Sequence, residues 1–263
     1  MKQLFHSPVT KSAIFCILFT VLIVLFSYLK PFIPAQFERA AHATIGTIAA
    51  VVATAIFLRI DKRSFASIGL QWERGTIKRF LAGTGIGLVL MGGISVAVLY
   101  AQQAQVTLNS DFSLLPFLFI ILPLVPMAWF EEAGFRAYPL EILKEKTDIR
   151  FTLIFTSLLF ALYHIANGWS VAASFLGPGI WGLIFGLAAI YSHGIAMPTG
   201  LHFAANFTTT MFGVAGDKHS FFTIQSVQSA GPSADIDWLT IVPSGFLLMI
   251  AVAGMTRIVR RGV

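Results

Sequence analysis

Glu131 and Glu132 stand side by side in PMAWFEEAGFRAYPLEI, residues Pro126 to Ile142, where a long apolar run ends, and Arg136 follows four residues after the second acid. Two other stretches also set polar groups among apolar neighbours: FALYH, which ends in His164, and HFAAN, which runs from His202 to Asn206. A glutamate beside a histidine can polarise water. Burial raises a carboxylate's proton affinity and a nearby cation lowers it, so such a base can be tuned to the working pH. A histidine and an asparagine one helical turn apart can donate hydrogen bonds to an oxyanion developing on a carbonyl. Brought together, these groups could hydrolyse an amide.

The surroundings make them costly. The chain has 263 residues, 56% hydrophobic and 11% charged, where a soluble domain carries about 25% charged residues. That composition belongs to the membrane class. Of 12 acids, all but Glu131 and Glu132 fall in or beside connections between apolar runs, and of six histidines His6, His42, His193 and His219 lie at the ends of such runs or in loops, while His164 and His202 lie inside them. An ionisable residue at the centre of a membrane helix costs about 2.5–3.5 kcal/mol, so several on three short stretches call for a function. The one cysteine, Cys16, excludes an internal disulfide and reads as a small buried hydrophobe. The formal charge of +6 does not signal nucleic acid, because the basic residues sit in short connections rather than on a polar or aromatic surface.

Eight apolar runs can be set against the roughly 20 residues that cross a bilayer as a helix: Ser12–Leu29, Ala40–Leu58, Phe80–Ala101, Phe112–Phe130 with its continuation, Phe151–Ala166, Val171–Tyr191, Ile195–Gly213 and Trp238–Thr256. The first is too long for the apolar core of a signal peptide and lacks a small-residue cleavage site, so it is expected to be retained. The fold expected is all-α: one polytopic membrane helix bundle over residues 1–263, with both termini cytoplasmic. That orientation places 15 of the 18 Lys and Arg inside, Arg136 among them, and leaves Lys30, Arg39 and Lys218 outside. The polar stretch Gly216–Asp237 becomes an outer loop. The pairs Gly83…Gly87 and Gly182…Gly186 permit close helix packing.

Helix geometry allows the polar groups to meet. Glu132 and Arg136 share a face, as do His202 and Asn206. A hairpin turning near residues 147–148 brings Glu131 level with His164. If the fourth span leaves the membrane near Pro139, Glu131 lies about 12 Å below the cytoplasmic surface, and the site is expected to open there. The fifth span starts earlier than this picture requires.

The three stretches resemble the motifs of the CAAX prenyl protease and bacteriocin-processing family, also called Abi, whose members are intramembrane endopeptidases. Glu-Glu-x-x-x-Arg is met by Glu131 to Arg136, Phe-x-x-x-His by Phe160 to His164, and His-x-x-x-Asn by His202 to Asn206. The resemblance covers about residues 112–213, the expected catalytic core. It implies that Glu131 activates water with His164, that His202 and Asn206 stabilise the oxyanion, and that Glu132 and Arg136 support the site through their ion pair. Expected partners are the lipid bilayer and a membrane-associated peptide or protein, in a prokaryotic plasma membrane. No cofactor is expected. Zinc on Glu131, His164 and His202 is the alternative, although the His-Glu-x-x-His signature is absent. Membrane acids and histidines also build proton relays, so a proton-coupled transporter is a second class of function, and a catalytically silent scaffold a third.

Overall fold

The computed structural model describes residues 7–213, 218–225 and 238–261, and most of the expected outer loop lies outside them. Ser7 caps the first helix and Pro8 opens it, giving α1 (Pro8–Ser27). Then come α2 (Glu38–Asp61), closed by Lys62 in the left-handed conformation, and α3 (Thr76–Ala101). The fourth span is broken into α4 (Leu114–Ile121), α5 (Leu124–Glu132) and α6 (Tyr138–Lys144). Asp148 caps α7 (Ile149–Ala166), accepting from the Arg150 N–H at 2.8 Å. α8 (Val171–Ser174) and α9 (Ile180–Ser192) form the next span, followed by α10 (Ala196–Met211) and α11 (Trp238–Arg261). A two-stranded antiparallel ribbon, β1 (Gln105–Leu108) and β2 (Phe222–Gln225), joins two connections at one end.

Seven helical stretches are long and apolar enough to cross a membrane: Pro8–Phe32, Ala35–Asp61, Thr76–Ala101, Leu114–Lys144, Ile149–Ala166, Val171–Ser192 and Ile241–Arg260. The chain is thus an integral membrane protein with an all-helical bundle. The remaining expected span is α10, which has 16 residues, about 24 Å at 1.5 Å per residue. Its weak apolar signal has a physical cause: α10 packs among α3, α5 and α9 and can carry His202, Asn206 and four threonines on buried or half-buried positions.

α10 comes that close because glycine removes the side chains that would hold it off. A Cβ on Gly83 would lie 2.0 Å from the Met197 carbonyl oxygen, and one on Gly200 would lie 2.0 Å from the Phe80 carbonyl oxygen. Across α9, a Cβ on Gly182 would press on Ser157 and the Arg136 guanidinium, and one on Gly186 on Leu153. Both glycine pairs therefore act in packing, as their spacing predicts.

Two wide, π-helical turns interrupt the spans, at Ala133–Ala137 and Phe175–Gly179. Pro139 follows the first and Pro178 lies in the second. Each lacks an N–H, and in a continuous α-helix its ring would strike the carbonyl four residues back, so the helix widens. In the first turn the Gly134 carbonyl instead accepts from Cys16 Sγ at 3.8 Å, and Ser12 Oγ donates to the Pro139 carbonyl at 3.2 Å. Cys16 is buried, as its surroundings predict, and it also answers a polar group.

One end of the bundle is tied together by polar contacts. Asp61 accepts from Lys11 and, at 2.7 Å, from the Tyr138 hydroxyl; Arg63 pairs with Glu145; and Arg79 Nη1 donates to the Ser192 carbonyl at 2.9 Å. The α2–α3 connection is pressed into this end, with Ile68 fully buried and Gly69 against Gly194.

Since nothing at Gly200 can yield without moving backbone, Gly200→Val is expected to destabilise the protein by at least about 1–3 kcal/mol. Gly85→Ala on the same α3–α10 pair meets open space and should leave stability within about 0.5 kcal/mol of the parent. Unfolding in detergent micelles reads both.

Candidate active site

α5 ends on Glu131 and Glu132, and the wide turn after it carries Arg136, which is 1% exposed; Glu132 is 0% exposed. Arg136 is therefore not an anchor at the membrane surface. Its Nη1 lies 3.5 Å from Glu132 Oε1, its Nη2 donates to the Gly182 carbonyl at 3.2 Å, and its guanidinium carbon lies 4.2 Å from the centre of the Phe160 ring. The pairing read from the i, i+4 spacing is present, but long.

Glu132 has a closer partner. His202, on α10, sets Nδ1 2.8 Å from Glu132 Oε1, while its Nε2 lies 3.6 Å from Glu131 Oε2. Because Glu132 can only accept when ionised, Nδ1 is the donor of that bond. The imidazole therefore bridges the two adjacent acids, one at each ring nitrogen. Phe185 of α9 stacks on it with ring centres 4.5 Å apart, and Phe160 meets it edge-on. With both acids ionised and His202 neutral, Glu131, Glu132, Arg136 and His202 sum to one negative charge; a protonated His202 brings them to zero.

His164, near the end of α7, has Nδ1 2.9 Å from the Phe160 carbonyl oxygen. A carbonyl can only accept, so Nδ1 carries the proton in the neutral ring and Nε2 keeps its lone pair. Trp169 packs edge-on against the ring. Glu131, His164, His202 and Asn206 all line one cavity of about 650 Å³, so four of the six expected residues share a space and Glu132 and Arg136 lie behind its wall.

The cavity's lining does not extend to the end where the sequence reading placed its opening. Its lining includes Lys30 and Arg39 from the α1–α2 connection, Asn167 and Trp169 after α7, and Thr209 and Thr210 near the end of α10. Those positions lie at the end opposite the α6–α7 turn. The expected exit of the fourth span at Pro139 caused the error: Tyr138, Leu140 and Leu143 are fully buried and the helix continues to Lys144. Glu131 is thus about 20 Å from that end at the α-helical rise. The same hairpin carries His164 fifteen residues along α7 from Ile149, about 22 Å, which accounts for the early start of the fifth span.

Lys30, Arg39, His42, Trp169, Trp181 and Phe185 line the cavity and were not picked out by motif. Their types are ordinary in membrane helices and their connections, so only the fold reveals them. His193 closes α9 in the left-handed conformation and is not on the cavity lining. Among the described residues, no three His, Cys, Asp or Glu side chains are arranged to hold a metal ion. His202 in particular turns one nitrogen fully to Glu132.

Fold and site together describe a polytopic membrane protein with an acid, two imidazoles and a carboxamide gathered on a cavity deep in its bundle. Residues 113–208 match the Rce1-like family model, described as Type II CAAX prenyl endopeptidase Rce1-like. This is a protease family, the one the three motifs resemble, and the match takes in all six site residues. It supports a CAAX-type intramembrane endopeptidase in general. No curated protein and no solved structure matches the chain.

Removing one partner of a buried ion pair strands the other. Arg136→Ala is expected to cost about 3–5 kcal/mol, whereas the double variant Arg136→Met/Glu132→Gln should recover much of that loss. Unfolding in micelles measures both, and a double variant no better than the single one would show that packing of the guanidinium, not charge, is what counts.

Proposed function

We propose that this protein hydrolyses a peptide bond of a membrane-associated peptide or protein using water activated by Glu131 and His164, in the plasma membrane of a prokaryote. The observation that carries the reading is the division of labour among the imidazoles. His164 has its Nδ1 proton committed to the Phe160 carbonyl and so has a basic nitrogen to offer, while His202 is held between two acids. One ring is set up to take a proton and the other to give one.

In the proposed reaction, a water molecule near Glu131 and His164 loses a proton to that pair as its oxygen attacks the carbonyl carbon. The carbonyl oxygen becomes an oxyanion, which accepts hydrogen bonds from the Asn206 carboxamide and from Nε2–H of a protonated His202. The tetrahedral centre then collapses, the C–N bond breaks, and the abstracted proton passes to the departing nitrogen. One carboxyl and one amine group result. Glu132 and Arg136 touch none of the reacting atoms. They are positioning residues: Glu132 fixes the His202 ring, and Arg136 balances the charge of Glu132. No metal takes part in this scheme.

Purified protein in detergent, given quenched-fluorescent peptides, tests the scheme. Glu131→Ala and His164→Ala should lower turnover by about 10²–10⁴-fold, and Asn206→Ala by about 10²–10³-fold. Chelator should leave the parental rate unchanged. Loss of activity with chelator and its return with zinc would overturn the metal-free scheme, and parental activity in Glu131→Ala would remove the proposed base.

A further inference from the structure

Three imidazoles line the cavity, His42, His164 and His202, and the proposed reaction uses the last two. His42 stands on α2, one turn before Gly46, and the family match, which begins at residue 113, does not reach it. The missing side chain at Gly46 brings α2 against α5: a Cβ there would lie 2.3 Å from Phe130 Cε1. Phe130, wholly buried and next in sequence to Glu131, meets the His42 ring edge-on with ring centres 5.5 Å apart. The ring is thus fixed on the cavity wall by the residue that precedes the proposed base.

Neither ring nitrogen is matched by the protein. Nδ1 is buried and has no partner, and among the described residues no hydrogen bond or ion pair involves His42. With no carboxylate bonded to it, the ring is neutral in so apolar a setting. It then carries one proton, and a buried N–H without an acceptor is rarer than a lone pair without a donor. The proton therefore belongs on Nε2, the nitrogen left to face the cavity. Packing alone asks for no nitrogen here. A phenyl ring would meet Phe130 edge-on as well and leave no polar atom unpaired.

A peptide entering an apolar cavity brings an N–H and a carbonyl with almost every residue, and each needs a partner. In the proposed reaction His202 and Asn206 serve the carbonyl that is attacked. Carbonyls flanking it must find donors elsewhere on the lining. We propose that His42 is a substrate-binding residue whose Nε2–H donates to a backbone carbonyl of the bound peptide away from the scissile bond. Its ligand is a neutral acceptor on an extended segment, since a helix has already bonded its own carbonyls. The peptide is then held from two sides, by α5, α7 and α10 at the reacting bond and by α2 beside it. Calling the peptide a substrate rests on the proposed hydrolysis, whereas its binding can be read without cleavage.

Three measurements in detergent test the assignment. His42→Phe keeps the contact with Phe130, so its unfolding midpoint should equal or exceed the parent's. With quenched-fluorescent peptides the same variant should raise KM by about 3–10-fold, the loss of one neutral hydrogen bond, and leave kcat within about twofold. His42→Gln, which returns an N–H donor, should recover most of the parental KM. Fluorescein-labelled forms of the same peptides, bound to Glu131→Gln protein and followed by anisotropy, should bind more weakly by a similar factor once His42→Phe is added. An unfolding midpoint several degrees below the parent's would make His42 a structural residue and overturn the proposal. So would peptide binding unchanged in His42→Phe, an equal loss in His42→Phe and His42→Gln, a fall in kcat at constant KM, or a protein that binds none of the peptides. Peptides that bind through His42 and are cut by no protein would keep the binding role and overturn the hydrolysis alone.

Discussion

The structure depends on placing a carboxylate, Glu132, wholly out of reach of water in the middle of an apolar bundle. An isolated ion there would be prohibitively costly, and its partners must come from elsewhere in the chain. Arg136 arrives through the wide turn that follows, and His202 through α10, a helix too short to serve as an ordinary span. Arg136 needs its own acceptor, the Gly182 carbonyl, and that approach leaves no room for a side chain at 182. His202 needs α10 to lie almost against α3, which Gly83 and Gly200 permit. Much of the helix packing can thus be followed outward from one buried charge.

That dependence explains how the working groups divide. Groups facing the cavity have hydrogen-bonding capacity left over: Nε2 of His164, Nε2 of His202 and the Asn206 carboxamide. Groups behind the wall turn theirs to one another, to His202 and to the Gly182 carbonyl, with Glu132 Oε2 and Arg136 Nε left without a partner. The adjacency of Glu131 and Glu132 then makes sense. Neighbours on a helix point about 100° apart, so one acid can face the cavity while the other faces the wall. A single imidazole placed between them touches both.

The sequence made the chemistry more legible than the depth. Polar groups amid apolar residues are conspicuous because their cost is high, and the spacing of His202 from Asn206 needs only helix periodicity to be read. Seven spans follow from apolar length. Pro139, however, reads as a helix exit, since proline ordinarily marks a boundary, whereas here the helix widens, absorbs it and runs on to Lys144. That one residue moved the expected site towards the wrong end of the bundle. The bridge from His202 to both acids was also hidden, because it is set by how close α10 comes to α5, a distance no spacing within either helix encodes. Phe185 gave no signal, being one of 25 phenylalanines.

The wide turn at Ala133–Ala137 also sets the angular relation between the two halves of its span. One extra residue in a turn rotates everything beyond it by about 100° about the helix axis. On one side of the turn, Glu131 and Glu132 face α10; on the other, Tyr138 faces Asp61 of α2. A regular helix through Pro126–Lys144 could satisfy one of these directions only, leaving either the acid pair or the tyrosine turned towards lipid. The turn lets a single transmembrane segment present two differently oriented faces, one turned to the cavity at mid-depth and one to holding the basic end of the bundle together.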